Sequence, residues 1–159
     1  MSLQKITPFL WFDGQAEEAV KFYVSVFKDA KLGKIARYGE GMPGPKGSVM
    51  TVTFEIEGQP FMALNGGPQF KFTEAVSFMV NCKDQKEIDY YWDKLTADGG
   101  KEVACSWLKD KYGLCWQIVP ATLGELLGKD QAQTNRVMAE VMKMVKLDIA
   151  TLERAAKGK

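Results

Sequence analysis

The residues best equipped for chemistry in this chain are a thiol, indole rings and amides. Cys105 and Trp107 alternate along one strand-like segment and Cys115 and Gln117 along the next, so each pair is expected to share a strand face. Whether the two pairs face each other depends on a hairpin register that a slip of one residue would reverse. A thiol nucleophile needs an activating partner. The sequence contains no histidine, which removes the usual neutral-pH acid and base, the commonest metal ligand and the base of Ser-His and Cys-His pairs. Cys105 therefore reads either as a small buried hydrophobe or as a pocket thiol. Trp11 and Trp107, on strands beside polar residues, are the indoles suited to lining a pocket, whereas Trp92 belongs to a helical core stripe.

Two other patterns invite a chemical reading and fail it. Gly39-Glu-Gly-Met-Pro-Gly44 matches G-x-G-x-x-G letter for letter. That fingerprint works by presenting helix N-terminal amides to a phosphate, and here Pro43, Pro45 and a strand follow. Lys46 is not followed by Ser or Thr, so no Walker loop results. Asp13, Glu17, Glu18, Asp84 and Glu87 stand where helices begin, and Glu55 and Glu57 fall on the polar side of a strand. No general acid/base pair is identifiable among these carboxylates.

The bulk properties narrow the partners. The 159 residues carry 21 basic against 20 acidic side chains, a formal net charge of +1, and no polybasic run, which argues against a nucleic-acid or anionic-membrane partner. Cys82, Cys105 and Cys115 are odd in number and lack metal-ligand spacing, so a disulfide framework or zinc site is not expected and a reducing compartment is. No apolar run approaches the ~20 residues that span a bilayer. Met1 to Lys5 lead into a strand-like segment instead of a signal-peptide core, so a cytoplasmic protein is expected.

The elements that must position these residues come in a repeated order. Residues 6–12 read as a buried strand. Asp13 is placed to cap a helix whose apolar face is Ala16, Ala19, Val20, Tyr23 and Phe27. A strand near 34–38 is followed by the Gly39–Gly47 loop, rich in glycine and proline and expected to be mobile. Met50 to Ile56 alternates as a half-buried strand, Gly58-Gln59 turns the chain, and Pro60 to Asn65 returns. The order then recurs: a strand over 75–81, an Asp84-x-x-Glu87 capping box, a helix with Ile88, Tyr91, Trp92 and Leu95 inward, Gly99-Gly100 as its stop, and strands near 101–108 and 114–119 around an Asp110–Gly113 turn. Val137, Met138, Val141, Met142 and Val145 form a helical stripe suited to core or to a subunit contact, and Asp148 is placed to cap a last helix through Leu152 and Ala155.

Taken together, Ile6 to Tyr23, Phe61-Met-Ala-Leu-Asn-Gly-Gly-Pro68 and Cys105 to Pro120 closely resemble the PhnB-like family of the glyoxalase, bleomycin-resistance and extradiol-dioxygenase group, the vicinal oxygen chelate superfamily. The likeness extends over nearly the whole chain, including Met144 to Ala150. It implies an α+β domain over 1–159, with two tandem βαββ(β) modules, about 1–68 and 72–120, forming cupped mixed sheets, and C-terminal helices over about 121–159. It implies a homodimer as well. Many family members are labelled demethylubiquinone methyltransferase, although this chain offers no adenosyl-methionine loop.

In metal-using relatives of the superfamily, His and Glu project from the first and last strands of each module. The resemblance puts Phe9, Asn65, Ser77 and Gln117 at those positions, a set that makes no competent divalent site. The expectation is therefore a cup without metal or other cofactor that binds a small, partly apolar molecule. Phe9, Trp11, Asn65, Ser77, Cys105, Trp107 and Gln117 would line it, with the Gly39–Gly47 loop at its entrance. A metal-free enzyme, a ligand-sequestering protein of the resistance type, and an interaction module using an exposed Met-rich tail stay open as alternatives. A glycine commonly sits between the Cys and Trp in the family, where this chain has Ser106.

Overall fold

The computed structural model describes residues 4–159, so the first part of the N-terminal expectation, Met1 to Leu3, lies outside the described residues. The chain divides into two compact units, 1–71 and 72–159.

In the first unit the order is β1 (Phe9–Phe12), α1 (Ala16–Val26), β2 (Ala30–Arg37), β3 (Val49–Ile56) and β4 (Gln59–Asn65). The strands form one mixed sheet in the order β1-β4-β3-β2, with β1 parallel to β4 and the other pairings antiparallel. A parallel pair requires a long crossover, and α1 supplies part of it by covering one sheet face. Leu10, Phe12, Val52, Phe54, Ile56, Phe61 and Ala63 point to that covered face and are buried, as are Ala16, Ala19, Val20 and Tyr23 of the helix, matching its expected apolar stripe. The β3–β4 hairpin turns through Glu57 and Gly58, both at positive φ (49° and 78°), as a two-residue turn on a right-twisted sheet demands.

The second unit repeats the plan with β5 (Ser77–Cys82), α2 (Gln85–Thr96), β6 (Lys101–Glu102), β7 (Trp107–Lys109) and β8 (Cys115–Pro120), in the sheet order β5-β8-β7-β6. The Asp84-x-x-Glu87 pair caps the helix in a variant of the box, with Glu87 reaching the amide one residue before the cap. Asp84 accepts from the Glu87 amide at 2.8 Å, and the Glu87 carboxylate accepts from the Lys83 amide at 2.7 Å. Ile88, Tyr91, Trp92 and Leu95 are buried. Helices α3 (Leu123–Leu127), α4 (Gln131–Val141) and α5 (Ile149–Ala156) follow, and Val119, Val137, Val141, Leu147, Leu152 and Ala155 form their own core cluster. Asp148 caps α5 through the Thr151 amide at 2.8 Å.

The fold is thus the expected α+β duplication with two mixed sheets, and three local expectations change. Asp13 does not cap α1; the cap residue is Gln15, which makes no side-chain cap bond, and the Ala16 amide donates instead to Asn65 Oδ1 at 2.8 Å. The segment expected as one strand over 101–108 is broken at 103–106, because Cys105 and Ser106 both take positive φ (60° and 77°) and turn the chain before β7 begins. The stripe from Val137 to Val145 is split: Val137 and Val141 are core, whereas Met138, Met142 and Val145 are exposed, Met142 by 67%.

Candidate functional site

Each sheet has one face turned to its helix and one left open, and strand alternation sorts the candidate residues between them. On β1, Leu10 and Phe12 are buried beneath α1, so Phe9 and Trp11 lie on the open face, Phe9 with 55% of its surface exposed. Trp11 is half-buried. Its indole N–H donates to the Gly67 carbonyl at 2.9 Å and its ring packs edge-to-face with Phe70, centroids 4.9 Å apart, which fastens the 66–70 segment against β1.

Asn65 is not on that face. It alternates with the buried Phe61 and Ala63 and faces α1, where Oδ1 accepts from Ala16 and Nδ2 donates to the Val49 carbonyl at 3.1 Å. The structure therefore does not bring Asn65 together with Phe9 and Trp11. Beside it opens a cleft of about 560 Å³, bordered by Asp13 and Glu17 at the start of α1, Tyr38, the Pro43–Pro45 part of the loop, and the segment after Asn65. The cleft's polar side chains are largely committed within the unit. Glu17 pairs with Lys21, Tyr38 donates to the Asn65 carbonyl at 2.5 Å, and Ser48 donates to the Pro45 carbonyl. The loop is tied at its base by a reciprocal pair between Tyr38 and Ser48 or Gly47.

In the second unit the candidates do converge. Register pairs Trp107 with Gln117 across the antiparallel β7–β8 ladder, and Met79 with Gln117 across the parallel β5–β8 ladder. Gln117 Nε2 donates to the Ser77 hydroxyl at 2.8 Å. Ser77, Met79, Trp107 and Gln117 thus share the open face, all at least partly exposed. The bond leaves Gln117 Oε1 and the Ser77 hydroxyl hydrogen without a described partner.

Cys105 departs from its expected face. At φ 60° it precedes β7, and its Sγ lies 3.7 Å from Met142 Sδ, packed against the cluster of the C-terminal helices. The other two thiols are buried, and burial pushes the Cys82 thiol up to about 12 and raises that of Cys115. Neither is suited to act as a nucleophile near neutral pH.

The duplication corrects two correspondences, those of Asn65 and Ser77. Phe12 pairs with Asn65 before the Gly66 amide bonds the Phe12 carbonyl, and Cys82 pairs with Pro120 before the Ala121 amide bonds the Cys82 carbonyl. Matching these ends makes Met62, not Asn65, the counterpart of Gln117, and Met79 the counterpart of Phe9. Met62 and Met79 are therefore open-face residues that the motif-based reading omitted, and aligning the two halves of the chain on their strand ends would have found them.

The sequence model of the 3-demethylubiquinone-9 3-methyltransferase family matches residues 4–119. This chain belongs to that PhnB-like family. No curated protein matches it. Among solved structures, a PhnB protein from Bacillus cereus described as a 3-demethylubiquinone-9 3-methyltransferase is 40% identical, with 73% of this chain and 99% of that chain covered and a TM-score of 0.66. A protein from Pseudomonas aeruginosa is 20% identical over 75% of this chain and 98% of its own, with a TM-score of 0.60. A fosfomycin resistance protein from Listeria monocytogenes, crystallised with Mn(II) and sulfate, is 16% identical over 80% and 97%, with a TM-score of 0.53. The last two are similar in fold, the glyoxalase and bleomycin-resistance fold expected from the resemblance. The family match stops at Val119, short of the Met144–Ala150 segment included in the resemblance.

The metal seen in that fosfomycin resistance protein does not fit the residues here. Phe9 has no donor atom, both amide atoms of Asn65 are bonded to backbone on the helix side of its sheet, and Ser77 and Gln117 offer two neutral oxygens of modest donor strength. Among the described residues, no three His, Cys, Asp or Glu side chains gather as a metal site.

Proposed function

We propose that this PhnB-like protein binds a small, partly apolar molecule without a metal ion, and that the open face of the second sheet is a principal contact surface. The Ser77–Gln117 pair beside Trp107 carries this reading. Two polar side chains hold each other in place, keep an acceptor and a donor to spare, and sit next to an indole that supplies apolar area; this is the mix by which small-molecule sites fix orientation. Phe9 and Trp11 give the first sheet an aromatic open face that is proposed to contact ligand too. Asn65 and Cys105 are assigned supporting roles, at the start of α1 and against α4. The exposed Phe9 and Met79 favour cover by a second copy of the chain, a homodimer, and three unpaired cysteines favour a reducing, cytoplasmic setting. No described helix is long and apolar enough to cross a membrane, and the near-zero net charge gives no support to nucleic-acid binding.

Native mass spectrometry of protein purified without added ligand tests the proposal. A co-purified organic compound retained by the native protein and lost from Trp107→Ala and Gln117→Ala is the expected result. Stoichiometric divalent metal lost from the same variants would overturn it.

The family description favours one other reading, methyl transfer from adenosyl-methionine. That cofactor should then raise the melting temperature, and no shift at millimolar concentration would remove the reading. A sequestering protein would show tight binding without turnover.

A further inference from the structure

The turn that delivers Trp107 to the open face is made of two consecutive non-glycine residues in the left-handed region, Cys105 at φ 60° and Ser106 at φ 77°. L-residues avoid this region, and a pair of them persists only where surroundings enforce it. The surroundings here are specific. The Cys105 amide donates to the Met144 carbonyl and the Ser106 amide to the Val145 carbonyl, both at 2.9 Å. Ser106 is only 3% exposed, and its own carbonyl accepts from the Ile118 amide at 2.9 Å, next to Gln117.

The 142–148 linker between α4 and α5 is itself latched to α2. Gln85 Nε2 donates to the Leu147 carbonyl at 3.0 Å, Gln85 Oε1 accepts from the Ile149 amide at 2.9 Å, and Lys146 pairs with Asp89 at 2.8 Å. All of this linker lies beyond Val119, where the family match ends.

We infer that the C-terminal helices are a positioning device: their linker, latched by Gln85, holds the Cys105–Ser106 turn in its left-handed form and so sets where Trp107 stands beside Gln117. Cys105, Ser106 and Gln85 are positioning residues that need not touch ligand. The consequence for binding rests on the reading of the Trp107 face above, whereas the brace itself can be tested without any ligand.

The test uses the full chain labelled with 5-fluorotryptophan, with Gln85→Ala as the loosening variant and Lys146→Ala as a milder one. In Gln85→Ala, amide exchange at Cys105 and Ser106 rises about tenfold, as expected when a hydrogen-bonded turn opens locally, and the Trp107 fluorine line shifts while that of Trp11, in the other unit, stays. Lys146→Ala moves both readouts the same way by less. Adding Ser106→Gly to Gln85→Ala returns the Trp107 line toward its native position, because glycine adopts positive φ without the brace. Unchanged exchange at both amides, or faster exchange with an unmoved Trp107 line, overturns the inference. Native mass spectrometry of the same samples separates the two readings: if the native protein retains no compound, the binding proposal fails while the brace is decided by exchange and fluorine lines alone.

Discussion

Asp110 offers the sharpest test of how the second open face is assembled. It is 2% exposed and starts the β7–β8 turn. Oδ1 accepts from the Tyr112 amide at 2.9 Å and the Leu114 amide at 3.1 Å, while Oδ2 accepts from the Trp116 indole at 2.9 Å. Asp110→Asn keeps shape and volume but turns one acceptor into a donor. If the amide nitrogen faces Trp116, a buried N–H is left opposed to another donor, a loss of about 1–3 kcal/mol, and the two backbone bonds each weaken by about 0.5–1 kcal/mol on losing their charge. The sum is about 2–5 kcal/mol. The flipped amide strands two backbone donors and costs more. With a urea m-value of about 1.5 kcal/mol/M, the unfolding midpoint falls by about 2 M, followed by circular dichroism and tryptophan fluorescence. Trp116→Phe should cost about 1 kcal/mol or more less in the Asp110→Asn background than in the native one, since the N–H it removes is already orphaned. A midpoint change under ~0.3 M, or strict additivity of the two substitutions, would refute the assignment of Asp110 as the anchor of this turn.

Asn65→Ala removes the side-chain acceptor of the first α1 amide and a bond to β3 at once, so a loss of about 1–2 kcal/mol is expected by denaturant titration. Asp148 has its carboxyl held below the ordinary aspartate value by hydrogen bonds from Thr151. Its folded pKa is depressed, so its stabilisation is present above the unfolded value near 4 and is lost as pH falls through the lower folded one; Asp148→Asn should flatten the acid limb of a melting-temperature profile below about pH 4. Iodoacetamide at pH 8 followed by peptide mapping should modify the half-buried Cys105 first, with Cys82 and Cys115 reacting only on unfolding.

The helices and the duplication were legible because their signals are local and periodic. Ala16, Ala19, Val20 and Tyr23 recur at helical spacing, Asp84 and Glu87 are three residues apart, and Asp110 to Gly113 is a turn written in four adjacent letters. The cap of α1 was not legible, since its donor and acceptor are 49 residues apart and Asp13 looked locally sufficient. The Cys105–Trp107 alternation failed for a related reason: the letters Cys-Ser-Trp do not themselves announce left-handed backbone, which only the glycine common in the family at position 106 hints at, and the partners of the turn are carbonyls of Met144 and Val145 some 39 residues away in sequence. Asn65 was misplaced because the family resemblance set it at a ligand position without fixing strand register, whereas laying the two halves on each other at their strand ends makes Met62 the counterpart of Gln117.

The packing of Trp11 over Gly66 has a consequence for how relatives can diverge. A Cβ at position 66 would overlap the indole of Trp11, while one at Gly100 would come within 2.6 Å of the Thr96 backbone. A backbone obstacle cannot be traded away, so position 100 is closed to any side chain in this fold. A side-chain obstacle can. Position 66 should gain a side chain only in lineages where position 11 has become smaller, so these two sites, 55 residues apart, should drift as a pair while Gly100 stands alone.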